Sequence, residues 1–452
     1  MELLSAAGSV AVVVTAVLLV ARRAEVRLVL FSAAVLLAAL HGDAMSPVRN
    51  LLEQMVNTGT VVPICCSLGF AQVIKATECD RHLVALLLNP LRRRKWMLIP
   101  GVALAAFVVN IPIVSQTGTA ATIGPIAFPL MASAGIPPLT AASTLVLGAS
   151  IGGELVNSGG PEYGTVLMEV NRGATEPKTR PDCVQRTLAV NLIQCLVSIA
   201  VFWWLSRRDV SEETSPAVET PQIKPNLVFA FVPLLPFVFL FLAAKPWEII
   251  HVPQHWLASD KALQRDSSAA DSHLIGVAML FGSAVAGLVA LAYGHRKTAG
   301  RVAGAFFKGA GHAYSEVISL IVVAFCFAQA VKEAGAGRLF DTLATHAGAL
   351  FVPVAVYATA AFAYLCGSGI AATQGLFPLL AQSGAHKGID VFSMGSITVL
   401  GSAAGRTASP VAAVTIISGE MANVEPWQIS RRVFAPILAG MTAAVIAHAN
   451  GL

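Results

Sequence analysis

Apolar runs of membrane-spanning length fill most of this 452-residue chain, and two of them are interrupted by nearly the same polar sequence. The first interruption, 114–129, reads VSQTGTAATIGPIAFP, and the second, 366–378, reads CGSGIAATQGLFP. Gly118-Thr119-Ala120-Ala121-Thr122 returns as Gly369-Ile370-Ala371-Ala372-Thr373, and Phe128-Pro129-Leu130 returns as Phe377-Pro378-Leu379. A run of about 20 apolar residues crosses roughly 30 Å of hydrocarbon. Backbone in that medium must satisfy its own hydrogen bonds, so irregular stretches survive there only where they line a cavity or are buried in protein. Two matching breaks, one per half, are the pattern of a duplicated transporter whose substrate sits near the bilayer midplane.

The solvent is settled by composition: 56% of residues are hydrophobic and 12% charged, with a mean hydropathy of +0.71, against about 25% charged residues in soluble domains. The net charge of +5 is carried in short loops, which makes it a topology signal and not a nucleic-acid patch. Seven cysteines, an odd number without CxxC or Cys/His metal spacing, read as small apolar fillers. Glu2 is the only early charge, and no basic region precedes the first apolar run, so that run is expected to stay in the mature protein.

Taken in order, the chain predicts membrane helices over 3–21, 26–41, 59–74, 96–114, 140–156 and 187–205. The second half predicts them over 227–243, 274–293, 313–331, 347–365, 394–419 and 433–448. The fold expected is an all-α polytopic membrane protein. It divides into a first transmembrane repeat, 1–205, a polar cytoplasmic linker, 206–225, and a second repeat, 226–452. The stretch 245–271, with Trp247, His251, His255 and Trp256, reads as a loop with interfacial anchors; Pro246, Pro253 and a missing third ligand argue against zinc. Arg22, Arg23, Arg27, the 92–95 cluster, Arg207, Arg208, Arg296, Lys297, Arg301, Arg431 and Arg432 fall on one side if each broken region re-enters. That side is assigned to the cytoplasm, with both termini outside and the two repeats inverted. Arg172, Lys178, Arg180 and Arg186 fall on the other side and disagree.

An unbroken helix offers a substrate nothing, whereas an interrupted one exposes amides and carbonyls at its ends. A helix N-terminus carries roughly half a positive charge. Glycines let the backbone approach a ligand, and hydroxyls complete the coordination. The candidate binding residues are therefore Ser115, Thr117, Gly118, Thr119 and Thr122 in the first break and Ser368, Gly369 and Thr373 in the second. A sodium ion is expected near Ser115, Thr117, Thr122, Ser368 and Thr373, better supported between Ser115 and Thr122 because more hydroxyls lie there. Small-residue helix contacts are the structural alternative for the same glycines and threonines.

About 30 residues beyond each break, 147–154 (LGASIGGE) corresponds to 400–407 (LGSAAGRT), and each leads to a second break. One contains Asn157, Ser158, Gly159, Gly160 and Pro161, and the other contains Thr407, Ala408, Ser409 and Pro410. Asn157, Ser158, Thr407 and Ser409 join the candidate set. Arg406 is the residue of greatest interest, since a charge at mid-membrane costs about 2.5–3.5 kcal/mol on insertion scales and is paired or functional. Its planar fork suits a substrate carboxylate; the alternative partner is Glu154. Glu316 and Glu420 receive no role.

The run Gly405-Arg406-Thr407-Ala408-Ser409-Pro410-Val411 resembles the GRTxSPV signature of the DcuC-type anaerobic C4-dicarboxylate transporters, in the wider ion transporter superfamily. The resemblance takes in 317–330 (VISLIVVAFCFAQA), Gly367-Ser368-Gly369, and Met421, Pro426, Arg431 and Arg432. It is weaker in the first half, at 115–118, Phe128-Pro129 and Ser158-Gly159. The resemblance implies secondary transport of succinate, fumarate or malate across a bacterial inner membrane, coupled to Na+ or H+ or run as exchange. It also implies a homodimer and an elevator-like movement of the hairpin-bearing domain. Cys366-Gly367-Ser368-Gly369-Ile370 departs from the family's Thr-Gly-Ser-Gly-Asn, so another carboxylate or an amino acid is the alternative substrate. An intramembrane enzyme would need a nucleophile with its base or a metal cluster, and His41, His312 and His346 read as lying near helix ends without partners. A channel could share broken helices.

Overall fold

The computed structural model describes residues 24–93, 95–171, 177–207, 224–243, 249–257, 269–334, 346–386 and 388–452, with 8–9, 11–13, 15–16 and 19 ahead of them. Among these residues there is no β-strand. The first half holds α1 (Val26–Leu40), α2 (Ser46–Met55), α3 (Thr58–Ala76), α4 (Cys79–Leu88), α5 (Leu98–Ile113) and α6 (Gln116–Ser133). It continues with α7 (Pro138–Ser150), a 3-10 turn at Gly153–Val156, α8 (Pro161–Val170) and α9 (Arg180–Ser206). The second half holds α10 (Leu227–Phe231), α11 (Leu235–Ala243), α12 (Ala269–Ala292), α13 (Val302–His312) and α14 (Ser319–Glu333). Last come α15 (Phe351–Cys366), α16 (Gly369–His386), α17 (Val391–Ala408), α18 (Ala413–Ala422) and α19 (Pro426–Ala449).

Several helices start where the sequence supplies a capping side chain or a proline. Proline stands in the first turn of α7, α8, α9 and α19, where its missing N–H costs nothing. Thr179 and Asp182 form a reciprocal capping box at α9, and the Asp390 carboxylate accepts from the Phe392 amide at α17.

Five helices among the described residues are long and apolar enough to cross a membrane: Pro138–Val156, Arg180–Ser206, Ser272–Ala292, Val302–Val331 and Pro426–Ala449. A sixth results if Val61–Ala76 and Cys79–Leu91, bent by 77°, count as one span. The sequence predicts more full spans, and the structure shortens several of them. Residues 227–243 are divided at Val232–Leu234, which holds Pro233 and is followed by Pro236, because proline removes an amide and clashes with the preceding turn. Conversely, 313–331 begins earlier: α13 runs through a π-helical segment, Ala313–Ile318, into α14. The short helices α2 and α4 lie outside the predicted set. Most of the first predicted helix, residues 208–223 of the linker, and 245–248 and 258–268 of the polar stretch lie outside the described residues.

Both breaks are tighter than their sequences suggest. The first is confined to Val114 and Ser115, the second to Gly367 and Ser368, and the rest of each polar stretch is helix. The two copies register closely: α5 and α15 are both 16 residues, and α6 and α16 both 18. Each boundary of the second pair lags the first by 253 residues (98 and 351, 113 and 366, 116 and 369, 133 and 386). This register pairs Ser115 with Ser368, two residues off the match of Gly118 with Gly369 read from the letters. The same lag relates two close backbone approaches. A methyl group at Gly148 would stand 2.2 Å from the Ala103 carbonyl oxygen, and one at Gly401 would stand 2.6 Å from that of Val356.

The largest apolar core joins the broken elements of both halves, α4 to α9 with α15 to α19. Helix α1 packs with α14 in a second cluster, and α3 with α10, α11, α12 and α13 in a third. The halves are thus interleaved. Helix α8 packs on α16 while α18 packs on α6, and α9 lies along α19.

The tightest of these approaches gives a test. A methyl group at Gly405 would stand 1.9 Å from the Ala360 carbonyl oxygen, whereas one at Gly304 meets nothing within 4 Å. Gly405→Ala must push α15 and α17 apart at a cost of about 1–3 kcal/mol or more. Thermal unfolding in detergent is expected to show a lowered midpoint for Gly405→Ala and no loss for Gly304→Ala.

Candidate functional site

At the first break, Val114 takes a left-handed conformation (φ 59°) that β-branched residues avoid. Ser115 then caps α6, its hydroxyl oxygen accepting from the Gly118 amide at 3.1 Å and lying 3.1 Å from Thr117 Oγ1. At the second break, Gly367 takes the same turn (φ 71°), and Ser368 Oγ accepts from the Ala371 amide at 3.2 Å. Two helix N-termini are thereby built by one device, and both breaks pack against one apolar cluster through Val114 and Ile370.

A cavity of about 410 Å³ opens at the first N-terminus, lined by Ser115, Thr117, Gly118, Lys75, Lys308 and His312 among others. Lys75 Nζ would stand 2.9 Å from a methyl group placed at Gly118. Lys308 and His312 are exposed on α13, and Lys75 is half-buried on α3. A helix N-terminus, two hydroxyls, two ammonium groups and an imidazole in one concave site form an anion receptor. Sequence reasoning missed both lysines and gave His312 no partner. The available signal was a lone lysine at the end of a predicted span and another inside the glycine-rich run before 313.

The remaining first-break hydroxyls are turned to protein. Thr119 is buried; its Oγ1 donates to the Ser115 carbonyl at 3.0 Å and lies 3.1 Å from Asn110 Nδ2. Thr122 Oγ1 lies 2.9 Å from the Gly118 carbonyl and 3.4 Å from Asp80 Oδ2. In the second break, Thr373 is fully buried and its Oγ1 has no partner.

Arg406 lies elsewhere in this network. It is buried, and of the two partners the sequence leaves open the structure shows Glu154, bonded through Nη2. Nη2 also donates to the Ser150 carbonyl at 2.8 Å, Nε to Ser150 Oγ at 3.2 Å, and Nη1 lies 3.5 Å from Glu162 Oε1. Glu162, in the first turn of α8, is a second acid that the sequence reading passed over. A methyl group at Gly369 would stand 3.1 Å from Arg406 Nη1, so the arginine sits at the second break. A buried path links the two breaks: Asn110 Oδ1 accepts from the Glu154 amide at 2.9 Å, and Glu154 holds Arg406.

The other predicted residues shape the second pair of breaks. Asn157 donates to the Ile111 carbonyl at 3.1 Å and accepts from the Gly159 amide at 2.8 Å. Ser158 offers its carbonyl to Arg180 at 3.2 Å, and the Gly160 carbonyl accepts from the same guanidinium at 2.9 Å. Thr407 donates to the Ser150 carbonyl at 2.8 Å, and Ser409 Oγ accepts from the Val411 amide at 3.2 Å. Arg180 is buried on these carbonyls, and Arg186, part-buried, is bonded to Ser393 Oγ at 2.9 Å; both belong to the four basic residues that disagree with the orientation rule. Glu316 pairs with Arg27 at 2.7 Å.

Comparison with known proteins agrees in direction. The DcuC family, described as the C4-dicarboxylate anaerobic carriers, matches residues 48–449. An uncharacterized transporter of Haemophilus influenzae is 36% identical over 141 residues, 31% of this chain and 97% of that protein. The anaerobic C4-dicarboxylate transporter DcuC of Escherichia coli K12 is 22% identical over 407 residues, covering 88% of this chain and 81% of that protein. Among solved structures, the YdaH transporter of Alcanivorax borkumensis is similar, with a TM-score of 0.59 at 15% identity, over 89% of this chain and 88% of that one. These relatives are transporters and not enzymes.

Proposed function

Because the chain belongs to the DcuC family of C4-dicarboxylate anaerobic carriers, we propose that it carries C4-dicarboxylates such as succinate, fumarate and malate across the bacterial inner membrane. Transport is cation-coupled or runs as exchange. The observation that carries this reading is the cavity at the first break. A C4-dicarboxylate brings two negative charges, and there Lys75 and Lys308 face the N-terminus of α6 with the Ser115 and Thr117 hydroxyls beside them. The helix end contributes about 0.3–1 kcal/mol toward a nearby anion, and the lysines supply the larger share.

The reciprocal packing of α8 on α16 and α18 on α6 supports two repeats related by inversion, one spanning 1–205 and one 226–452 about the linker 206–225. The separation of the broken-helix core from the clusters around α1, α3, α12 and α13 supports an elevator-like movement of the hairpin-bearing body. Ser368, Gly369 and Thr373 complete the substrate and cation path from the second break, and the carrier works as a homodimer of the wider ion transporter superfamily. In proteoliposomes, labelled succinate inside is expected to exchange with external succinate, fumarate or malate, saturably. Failure to exchange any C4-dicarboxylate under any cation gradient would refute the substrate assignment, and non-saturable flux would favour a channel.

A further inference from the structure

Glu154, Glu162 and Arg406 form an ionic cluster apart from the lysine-lined cavity. One guanidinium faces two carboxyl groups, and no side chain of the three is more than 7% exposed. The guanidinium bonds Glu154 Oε1 closely, while its Nη1 lies 3.5 Å from Glu162 Oε1. The second oxygen of each carboxyl, Glu154 Oε2 and Glu162 Oε2, is buried without a hydrogen-bond partner among the described residues. Two ionised carboxylates would leave one negative charge uncompensated in a dry site. Such pairs avoid that cost by sharing a proton.

We infer that Glu154 and Glu162 form a proton-binding site, in which Glu162 takes the proton on Oε2 and Glu154 stays ionised on Arg406. Glu162 is the acceptor because its contact with the guanidinium is the longer one. Among the described residues, the surroundings supply no other compensating charge. Helix α8 packs on α16, α17, α9 and α3. Of these, α17 brings Arg406, and α16 brings only His386, its last residue. From α9, Arg180 is turned to the carbonyls of Ser158 and Gly160, Asp182 accepts from Thr179, and Arg186 holds Ser393; Cys183 and Cys195 are free thiols. From α3, Lys75 lines the cavity beside Gly118, with Cys65 and Cys66 on the same helix. Tyr163, next on α8, donates to the Leu155 carbonyl. The charges acting on Glu162 are those of Arg406 and Glu154. A guanidinium in contact with both carboxyls repels a metal ion, and among the described residues no group of three or more His, Cys, Asp or Glu is placed to hold one.

The transport consequence, but not the protonation itself, rests on the dicarboxylate reading: a proton arrives from water on one side and returns to water on the other as the hairpin-bearing body moves. Infrared difference spectroscopy of the purified full chain at neutral pH is expected to show a protonated-carboxyl C=O band that shifts in heavy water. Glu162→Gln should abolish that band. A wild type without the band, or a band unchanged in Glu162→Gln, overturns the assignment. If Glu162→Gln fails to fold, Glu154→Gln replaces it; with one acid left per guanidinium Glu162 ionises and the band disappears, and its persistence there overturns the shared proton. In proteoliposomes, one pH unit is expected to drive about tenfold succinate accumulation for one coupled proton. Glu162→Gln should lose that accumulation while retaining exchange at equal pH. Accumulation equal to wild type overturns the proton site. Absence of succinate exchange in the wild type, with the infrared result as expected, leaves the proton site standing and refutes the substrate reading.

Discussion

Arg406→Gln is expected to cost the protein about 3–5 kcal/mol, because it leaves Glu154 and Glu162 buried without their common cation. Ser150 would also lose the arginine's bond to its Oγ and one of two donors to its carbonyl, which keeps Thr407. Thermal unfolding in detergent and the yield of monodisperse protein report the loss. The decisive comparison is the triple variant Arg406→Gln, Glu154→Gln, Glu162→Gln, which removes the cation and both acids together. Removing one partner leaves an uncompensated buried charge; the triple variant leaves none, so it should recover much of the stability. If Arg406→Gln is as stable as wild type but no longer transports, the guanidinium serves the substrate and not the fold.

Lys75→Gln is expected to raise the KM for succinate by about 10- to 100-fold, the equivalent of the roughly 1.5–3 kcal/mol carried by a hydrogen bond to a charged group. Lys75 is half-buried at the helix N-terminus beside Gly118, so its charge is poorly screened. Lys308, from α13, lines the same cavity and is exposed. Exposed ion pairs contribute only about 0.2–1 kcal/mol, and Lys308→Gln should raise KM a few-fold, more at low salt than at high. Initial exchange rates against succinate concentration measure both. Equal KM values for wild type and Lys75→Gln would remove the cavity from the substrate path.

Much of the architecture was legible along the chain. Apolar length marks membrane segments because crossing hydrocarbon is a one-dimensional requirement. The duplicated Gly-Ser-Thr stretches mark the breaks, since left-handed turns and helix caps are made by adjacent residues: Val114 with Ser115, and Gly367 with Ser368. Span lengths were less legible, because prolines cut 227–243.

The candidate site divides along the same line. The hydroxyls Ser115 and Thr117 and the charge Arg406 could be named from sequence, since a polar residue in an apolar run is conspicuous wherever it points. The partners of those residues could not. Along the chain, Glu162 merely follows a break, Lys75 stands just past a predicted span, and Lys308 lies in a glycine-rich run before 313. Only packing α3 and α13 around the N-terminus of α6 sets both lysines beside Ser115, and only packing α8 against α17 brings Glu162 to Arg406. The sequence by itself determined a duplicated, twice-broken helical membrane protein, because hydrophobic length and turn chemistry are local. The tertiary structure decided which charges meet, because electrostatic partners are chosen by distance in space, and helices far apart in the chain supply them.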